Sequence, residues 1–447
     1  MVLWNALIIN LSIKMSLAVV PPQSCALKES TMNRVNFLDP ETLKLLPRVT
    51  DINRSVFHTQ IEGPLSNSIG LSPLLIELHL KKCRVCPVIL AIIAKTFVHL
   101  TTLRVTKDCL DGESFKELAQ LTSLRHLELN TCRVKSQGIQ ELSRLKNLQI
   151  LEFESTPLDN RRLINLTSLT QLGTFKADDC RINKVGMNAI AQLTGLTCLS
   201  LANNDLDDVQ LESLAHLTNL TILDLSQNVE IRGEGLASLP CGTLKTLLLM
   251  ECLLEEGGVF VKMTNLTALH LNSHFSHLHH LTALTKLSLL THQSEFDDED
   301  FDNLGKMRSL IYLDLAGGFF KLNHADSFKN FASLIHLVHL NLNGIHFEGE
   351  EYSASNLEES LALTTALTQL KHLVELSLTL GTFNKAIANN LKTLNKLKTF
   401  TLILKGMRID GGIAKLLQGI KITTYKLEDC ELVGQAKFHL QHLNEES

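Results

Sequence analysis

The strongest constraint on the fold is a leucine pattern that recurs along most of the 447-residue chain. The pattern is Leu-x-x-Leu-x-Leu-x-x-Asn/Cys, and fifteen copies begin between Leu75 and Ile422. From residue 100 to residue 244, six consecutive steps are each 24 residues long. A fixed period of this length indicates stacked repeats, so one continuous array replaces the several domains that chain length alone would predict.

Each copy of the pattern predicts one short β-strand. In its central Leu-x-Leu, alternate side chains turn to the same side of an extended chain. One such strand cannot bury its apolar face alone, so successive copies are expected to stack into a parallel sheet. The segments between strands predict short amphipathic helices, because apolar residues recur every three positions among polar ones. This spacing is found in residues 112–121, 138–145 and 209–217.

The ninth position of the pattern is Asn or Cys in most copies. The residues there are Cys83, Cys132, Cys180, Asn204, Asn228, Cys252 and Cys430. With this signature and period, the chain resembles the leucine-rich repeat family over roughly residues 74–432, and within it the ribonuclease-inhibitor-like and GALA-like branch. The resemblance implies an α/β fold, a curved horseshoe-like solenoid of about fifteen repeats, with a parallel sheet on its concave face and short helices on its convex face.

The same resemblance gives the ninth side chain a structural role. In the family it points inward and bonds backbone groups that would otherwise be buried without partners. Five of the ten cysteines occupy this position. Cys83 is one of them, and its CxxC spacing with Cys86 has no second pair, so we expect packing there rather than zinc or redox chemistry.

We expect three parts in the chain. They are an N-terminal extension at 1–48, apolar and then a short helical cap, the solenoid at 49–432, and a tail at 433–447. A secretory signal has a cation before its apolar run, and the apolar run at 2–20 has none. Lys14 interrupts it, whereas a membrane span needs about twenty apolar residues without a central charge. We expect residues 1–31 to be a loose extension, with a signal or anchor as the alternative.

Composition and motifs exclude several function classes. The net charge of −5 argues against a general nucleic-acid binder, which needs a basic surface to displace counterions. The cysteines are too sparse for a disulfide scaffold, which favours a reducing compartment. No phosphate-binding loop, nucleophile elbow or kinase motif is found in the sequence. We therefore expect a cytoplasmic, monomeric, non-catalytic protein with no cofactor and no membrane span.

Five histidines lie in the eleven residues from His270 to His280 and raise the question of a metal site. His270 is an outward position of its strand, and His274 is the ninth, turn position of the same copy. The next copy begins only 18 residues later, so the return segment is too short for the usual helix. A catalytic metal motif such as HExxH would have a defined spacing, and none is present. We expect no metal, with a metal-dependent enzyme as the least favoured hypothesis.

Two acidic stretches are each interpreted without a ligand. Residues 295–305 resemble a calcium loop, but Asn303 stands where that loop requires Gly and Ser309 where it requires Glu. We reject a calcium site there. Residues 347–360 enlarge one repeat and predict a solvated acidic loop, with a docking element as the alternative.

The outward side chains of the predicted sheet define the candidate binding surface. Copies three to seven contribute an acidic track, and copies eight to ten an exposed apolar spot beside His270. Apolar side chains at outward positions indicate a contact surface, and a charged track beside them would steer a basic partner. The predicted partner-binding residues are Glu128, Glu152, Glu154, Asp178, Asp179, Asp224, Leu248, Met250, His270 and Leu290.

The favoured hypothesis is a scaffold that binds a protein on its concave face. The regular LTxLTxLxL sequence of the repeats resembles that of the leucine-rich repeat effectors that intracellular bacteria inject by type IV secretion. This resemblance implies action in the host cytoplasm. The alternative is an F-box-like substrate adaptor of a ubiquitin ligase. Its only candidate helical module is 36–57, which lacks the usual Leu-Pro opening and later tryptophan.

Overall fold

The computed structural model divides the chain into two compact units, the first formed by residues 1–206 and 213–223 and the second by 207–212 and 224–447. The residues that the structure describes are 10–12, 51–53, 76–81, 87–106, 110, 113–134, 136–255, 257–272, 278–289, 295–347 and 357–441.

The first unit contains a sheet in which each of the leucine-pattern copies contributes one strand, with two short strands before them. Its strands are β1 (Asn10–Ser12), β2 (Asp51–Asn53), β3 (Glu77–Lys81), β4 (Thr102–Thr106), β5 (His126–Asn130), β6 (Ile150–Glu154), β7 (Thr174–Asp178) and β8 (Cys198–Ser200), and β9 (Ile222–Asp224) is divided between the units. β1 pairs antiparallel with β2, and β2 to β8 pair in parallel, each with the next. In β4 to β8, residues 24 apart in sequence face each other, as Leu127 and Leu151 do.

The second unit contains a parallel sheet of the same kind and two small additional sheets. Its strands are β10 (Thr246–Leu249), β11 (Ala268–Leu271), β12 (Lys286–Leu289), β13 (Glu295–Phe296), β14 (Tyr312–Asp314), β15 (Phe319–Phe320), β16 (His339–Leu342), β17 (His346–Phe347), β18 (Glu375–Leu380), β19 (Thr399–Lys405), β20 (Arg408–Ile409), β21 (Thr424–Glu428) and β22 (Glu431–Leu432). β10, β11, β12, β14, β16, β18, β19 and β21 pair in that order. β13, β15 and β17 form a separate sheet, and β20 pairs with β22.

The return segments are helical, as the spacing predicts, although several are 3-10 rather than α-helices. The α-helices are Pro87–Thr96, Ser114–Leu118, Ser136–Leu142, Lys184–Ile190, Asp208–Leu211, Asp298–Lys306, Leu357–Leu367, Lys385–Thr393, Gly411–Gln418 and Ala436–Gln441. The 3-10 helices are Asn160–Ser168, Glu212–His216, Glu234–Ser238, Gly257–Lys262, Leu278–His280 and Ala325–Ser333. The predicted apolar faces are buried, for example at Phe115, Leu118 and Leu121.

Leucine forms most of the core in both units. Leu127 and Leu151 on adjacent strands are fully buried, as are Leu142 and Leu145 from a return segment. Burial of one such side chain contributes about 1.5–3 kcal/mol. The second unit adds a phenylalanine cluster, in which the ring of Phe301 lies 5.2 Å from that of Phe320 in a T-shaped contact. Within each unit, the repeating strands and helices around this core confirm the predicted α/β leucine-rich repeat fold.

The ninth position has the predicted structural role. Asn204 is buried, and its Oδ1 accepts from the N–H groups of Cys180 and Ile182 at 3.1 and 2.9 Å. Its Nδ2 donates to the carbonyl of Ala177 at 2.7 Å. In the second unit, the Cys252 thiol donates to the carbonyl of Leu225 at 3.3 Å. These bonds satisfy backbone groups at the turn after each strand.

Burial keeps two of the ninth-position thiols protonated. It raises the pKa of Cys180 and of Cys252 to about 12. A thiolate is the form that binds metals and attacks disulfides, so these two cysteines are poor candidates for such chemistry. Cys83 and Cys86 lie outside the described residues.

The rejected calcium loop is a helix N-terminus. Asp297 caps the helix Asp298–Lys306, because its side chain accepts from the N–H of Asp300 at 3.0 Å. Asp298 holds the next repeat through bonds from Asn323 and Ser327. Residues 348–356 of the acidic insertion lie outside the described residues, and Leu357–Leu367 is helical. Among the helices of the described residues, none has the length and apolar character that a membrane crossing requires.

Candidate binding surface

The outward side chains of the strands form the candidate surface in each unit. In β4 to β7, inward residues are buried and outward residues are half-buried or exposed, in strict alternation. This alternation follows from the period of an extended strand. We call the outward set in the first unit the outer strand face. Because neighbouring strands are in register, equivalent residues of successive repeats lie side by side along this face.

Arg104 lies between two carboxylates at one end of the acidic track. Its Nη1 donates to Glu77 Oε1 at 2.8 Å, and its Nε to Glu128 Oε2 at 3.1 Å. Asn130 Nδ2 donates to the other oxygen of Glu128 at 2.7 Å. Burial raises the pKa of Glu128 above its ordinary value, and the guanidinium of Arg104 opposes this shift. Glu128 is therefore held in place by a cation and an amide.

Glu152 is held in a similar way by Lys176. Lys176 Nζ lies 3.0 Å from Glu152 Oε1. Burial alone would lower the pKa of Lys176, but the hydrogen bond and charge of Glu152 raise it above its ordinary value. His126 Nε2 approaches the same oxygen at 3.9 Å, and burial lowers the pKa of His126 although Glu152 opposes the shift. The acidic track is thus interleaved with cations.

The remaining predicted acids of this unit differ in what they bond. Glu154 Oε2 accepts from Asn130 Nδ2 at 3.2 Å. Asp178 Oδ1 accepts from Ser200 Oγ at 2.6 Å and from the N–H of Ala202 at 2.9 Å, so it stabilises the next repeat. Asp179 is exposed and has a left-handed backbone with a φ of 52°. Asp and Asn tolerate this conformation better than most residues, which gives Asp179 a role in the turn.

In the second unit, Asp224 bonds its own turn. Its Oδ1 accepts from the N–H of Ser226 at 2.9 Å. Asp314 and Asn341 repeat this arrangement, with their Oδ1 atoms accepting from residues two positions later at 3.0 and 3.1 Å. Such local bonds are typical of Asx turns. They explain the presence of Asp224 without invoking a binding partner. Asp224 remains a predicted contact residue with a structural task.

The predicted apolar spot is less exposed than its outward positions suggest. Leu248 and Met250 are half-buried, and the N–H of Met250 donates to Ser226 Oγ at 3.2 Å. His270 is also half-buried, and burial together with the charge of Lys286 lowers its pKa. Leu290 lies outside the described residues. The neighbouring main chain and side chains cover much of the surface that the pattern alone would leave open.

A polar and aromatic row in the second unit escaped the sequence analysis. Lys286 Nζ lies 4.8 Å from the ring centre of Tyr312, whose ring lies 5.9 Å from that of His339. His339 Nδ1 then contacts Glu375 Oε2 at 2.8 Å. These residues occupy the first outward position of their copies, whereas the predicted partner-binding residues lie at the middle and later positions. Reading both positions in register would have found the row.

The histidine-rich stretch does not assemble a metal-binding group in the part of the chain that the structure describes. His270 is on β11, while His279 and His280 lie in a 3-10 turn with ring centres 4.0 Å apart. His274 and His277 lie outside the described residues. The described residues that do gather within ligand distance are His126, Glu128 and Glu152, which no metal motif in the sequence singled out.

Comparison with known proteins agrees with the fold. A family model described as leucine rich repeat matches residues 177–229. No curated protein sequence matches the chain significantly. Among solved structures, the chain is similar to Drosophila Toll in the Toll–Spatzle complex, with a TM-score of 0.50, 16% identity and coverage of 89% of this chain and 61% of that one.

Two bacterial structures are also similar. One is a leucine-rich repeat protein of Leptospira interrogans, with a TM-score of 0.49, 19% identity and coverage of 84% of this chain and 90% of that one. The other is an internalin of Listeria monocytogenes, with a TM-score of 0.45, 18% identity and coverage of 76% of this chain and 84% of that one. At such identities, the comparisons concern the fold alone.

Proposed function

We propose that this leucine-rich repeat protein is a non-catalytic scaffold that binds a basic segment of a protein partner on its outer strand face. The single observation that carries the proposal is an excess of fixed negative charge there. The outward residues of β4 to β7 include four carboxylates, Glu128, Glu152, Glu154 and Asp178, against two permanent cations, Arg104 and Lys176.

The bonds within the face explain how it would bind without large rearrangement. Glu128 and Glu152 are held by Arg104 and Lys176, and Glu154 is held by an amide. Side chains that are already ordered lose little conformational freedom on binding. The surplus of carboxylates would attract a basic partner over a distance of roughly one Debye length, about 8–10 Å at physiological salt.

The shape of the face favours a protein over a small molecule. Small ligands prefer concave pockets that bury most of their surface. Cavities of about 500 and 290 Å³ open at turns before the strands, beside Leu370 and Lys396 in the second unit and beside Val98 and Arg125 in the first. They do not lie among the outward residues of β4 to β7. A row of charged side chains across several strands suits an extended protein segment.

Site-specific photo-cross-linking would test this proposal. A photoreactive residue would replace Glu154 on the outer strand face, and a matched control would replace Glu117 on the helix Ser114–Leu118 of the same unit. The proposal expects a discrete protein adduct from position 154 and none from position 117. Adducts of the same protein from position 117 alone would place the binding surface on the helices and contradict the proposal.

The effector and adaptor hypotheses remain finer proposals. Delivery by type IV secretion into a host cell is supported only by the resemblance of the repeat sequence to that of secreted effectors. For the F-box-like adaptor, residues 36–50 and 54–57 lie outside the described residues. Within this candidate module, Asp51–Asn53 form a strand that pairs in parallel with β3. A strand there continues the repeat ladder, so the observation favours the scaffold over a helical adaptor module.

A further inference from the structure

Three potential metal ligands converge on the outer strand face. His126 and Glu128 are two residues apart on β5 and therefore share a face, and Glu152 lies directly opposite Glu128 on β6. One ligand atom from each residue lies within 4.8 Å of the other two. The three side chains are only 20%, 18% and 22% exposed. The group is thus partly sheltered from water.

The imidazole of His126 points to a missing ligand. Its Nε2 atom is buried and has no hydrogen-bond partner, although it faces the carboxylate of Glu152 at 3.9 Å. Buried polar atoms are nearly always satisfied in folded proteins, so an unsatisfied one needs an explanation. An imidazole nitrogen beside two carboxylates is the arrangement that a cation with affinity for nitrogen would complete.

We propose that His126, Glu128 and Glu152 bind a divalent transition metal ion of the zinc class. One imidazole and two carboxylates form a mixed nitrogen and oxygen donor set, which zinc accepts readily and which calcium and magnesium, with their preference for oxygen alone, do not favour. Three protein ligands leave a coordination position for water. The inference does not rest on the proposed function, since a metal could bind whether or not a protein partner does.

Two cations compete with the metal for the same carboxylates. Arg104 Nε lies 3.1 Å from Glu128 Oε2, and Lys176 Nζ lies 3.0 Å from Glu152 Oε1. Each carboxylate oxygen has a second lone pair, so the metal can share these groups without displacing the cations completely. The two positive charges nevertheless oppose a third. Removing Lys176 should therefore strengthen metal binding, an effect opposite to that of removing a ligand.

Zinc titration of the full chain by calorimetry tests the proposal. The wild type is compared with His126→Ala, with His126→Gln as a second variant of similar size, and with Glu154→Gln as the matched control. Glu154 is a carboxylate of the same face that is not part of the group. We expect both His126 variants to weaken one zinc site at least about tenfold, Glu154→Gln to change it less than about twofold, and Lys176→Met to tighten it. Circular dichroism checks that each variant is folded.

Two further measurements separate this site from weaker alternatives. Magnesium should not compete with zinc, and cobalt should give an absorption band that disappears in His126→Gln. Equal weakening by Glu154→Gln, or equal affinity for magnesium, would show general attraction to an acidic surface and overturn the proposal. Zinc binding that is unchanged in both His126 variants, but lost when His274 and His277 are replaced by alanine, would overturn it as well.

Discussion

Glu128 on β5 and Glu152 on β6 lie opposite each other on adjacent parallel strands. Each is paired with a cation from the strand on its other side, β4 or β7. Arg104 contacts Glu128 at 3.1 Å, and Lys176 contacts Glu152 at 3.0 Å. Like charges at directly opposed positions destabilise a sheet unless they are compensated. The two cations provide that compensation while leaving the face with a surplus of carboxylates. A surface whose charged side chains are already held by ion pairs is suited to binding.

Removing Arg104 should raise the pKa of Glu128 further. Burial already raises this pKa, and the guanidinium of Arg104 is the largest influence that opposes it. We expect a higher carboxyl pKa in Arg104→Met and a value close to wild type in Arg104→Lys, which keeps the charge. Carboxyl NMR titration measures both. An unchanged pKa in Arg104→Met would mean that the ion pair does not form in solution.

Truncation of one inward leucine should cost far more than truncation of its outward neighbour. Leu151 is fully buried, whereas Ile150 is half-buried on the outer strand face. We expect Leu151→Ala to lower the free energy of unfolding by about 2–5 kcal/mol, and Ile150→Ala by less than about 1 kcal/mol. Urea unfolding followed by circular dichroism tests the pair. Similar losses in the two variants would contradict the assignment of the buried face.

The ninth-position amide should be essential to its turn. Asn204→Ala removes two acceptor and two donor contacts in the buried interior. We expect a loss of about 2–4 kcal/mol, because unpaired backbone groups remain. Asn204→Cys should lose less, since cysteine bonds a carbonyl at the same position of other repeats. Asn219→Ala is a control that removes one exposed bond, to the carbonyl of Thr194, and should cost less than about 1 kcal/mol.

Acidification should destabilise the chain partly through His126. Its folded pKa lies below the ordinary value of 6.5, so the unfolded chain binds more protons between these two values. Stability therefore falls as pH drops through 6.5 toward the folded pKa. We expect His126→Gln to reduce this loss, and His99→Gln, at an exposed position, to serve as the control. A pH profile of stability that is identical in wild type and His126→Gln would show that the pKa of His126 is not lowered by folding.

The repeat pattern was sufficient to predict the fold, since a fixed period determines register as well as strand position. Leu127 and Leu151 are 24 residues apart and pair directly, as the pattern requires. The hydroxyl of Thr197 shows what the pattern left unexplained. It donates to the carbonyl of Gly173 at 3.1 Å, and the same bond recurs between Thr221 and Thr197 at 2.9 Å. The recurrent LTxL sequence thus has a role between repeats.

The candidate site was predicted less well, because partners across strands depend on side-chain direction. Outward position alone could not show that Asp178 bonds the next repeat, that Asp224 bonds its own turn, or that Leu248 is half-buried. His126 was missed for a different reason. Its two carboxylate neighbours come from the same strand and from one a full repeat later, so no contiguous motif contains them. Aligning outward residues of consecutive copies is the signal that would have found the group.

The proposed function requires that the outer strand face bind a protein through its surplus carboxylates. The most direct test is the affinity of the partner recovered by cross-linking for a Glu154→Lys variant, which leaves the Arg104 and Lys176 pairs intact. The matched control, Glu117→Lys, reverses a charge on the helix Ser114–Leu118 of the same unit. We predict at least about a tenfold loss of affinity for the outer-face variant, greater at low salt, and little change for the control. Equal affinities for both variants would contradict the account.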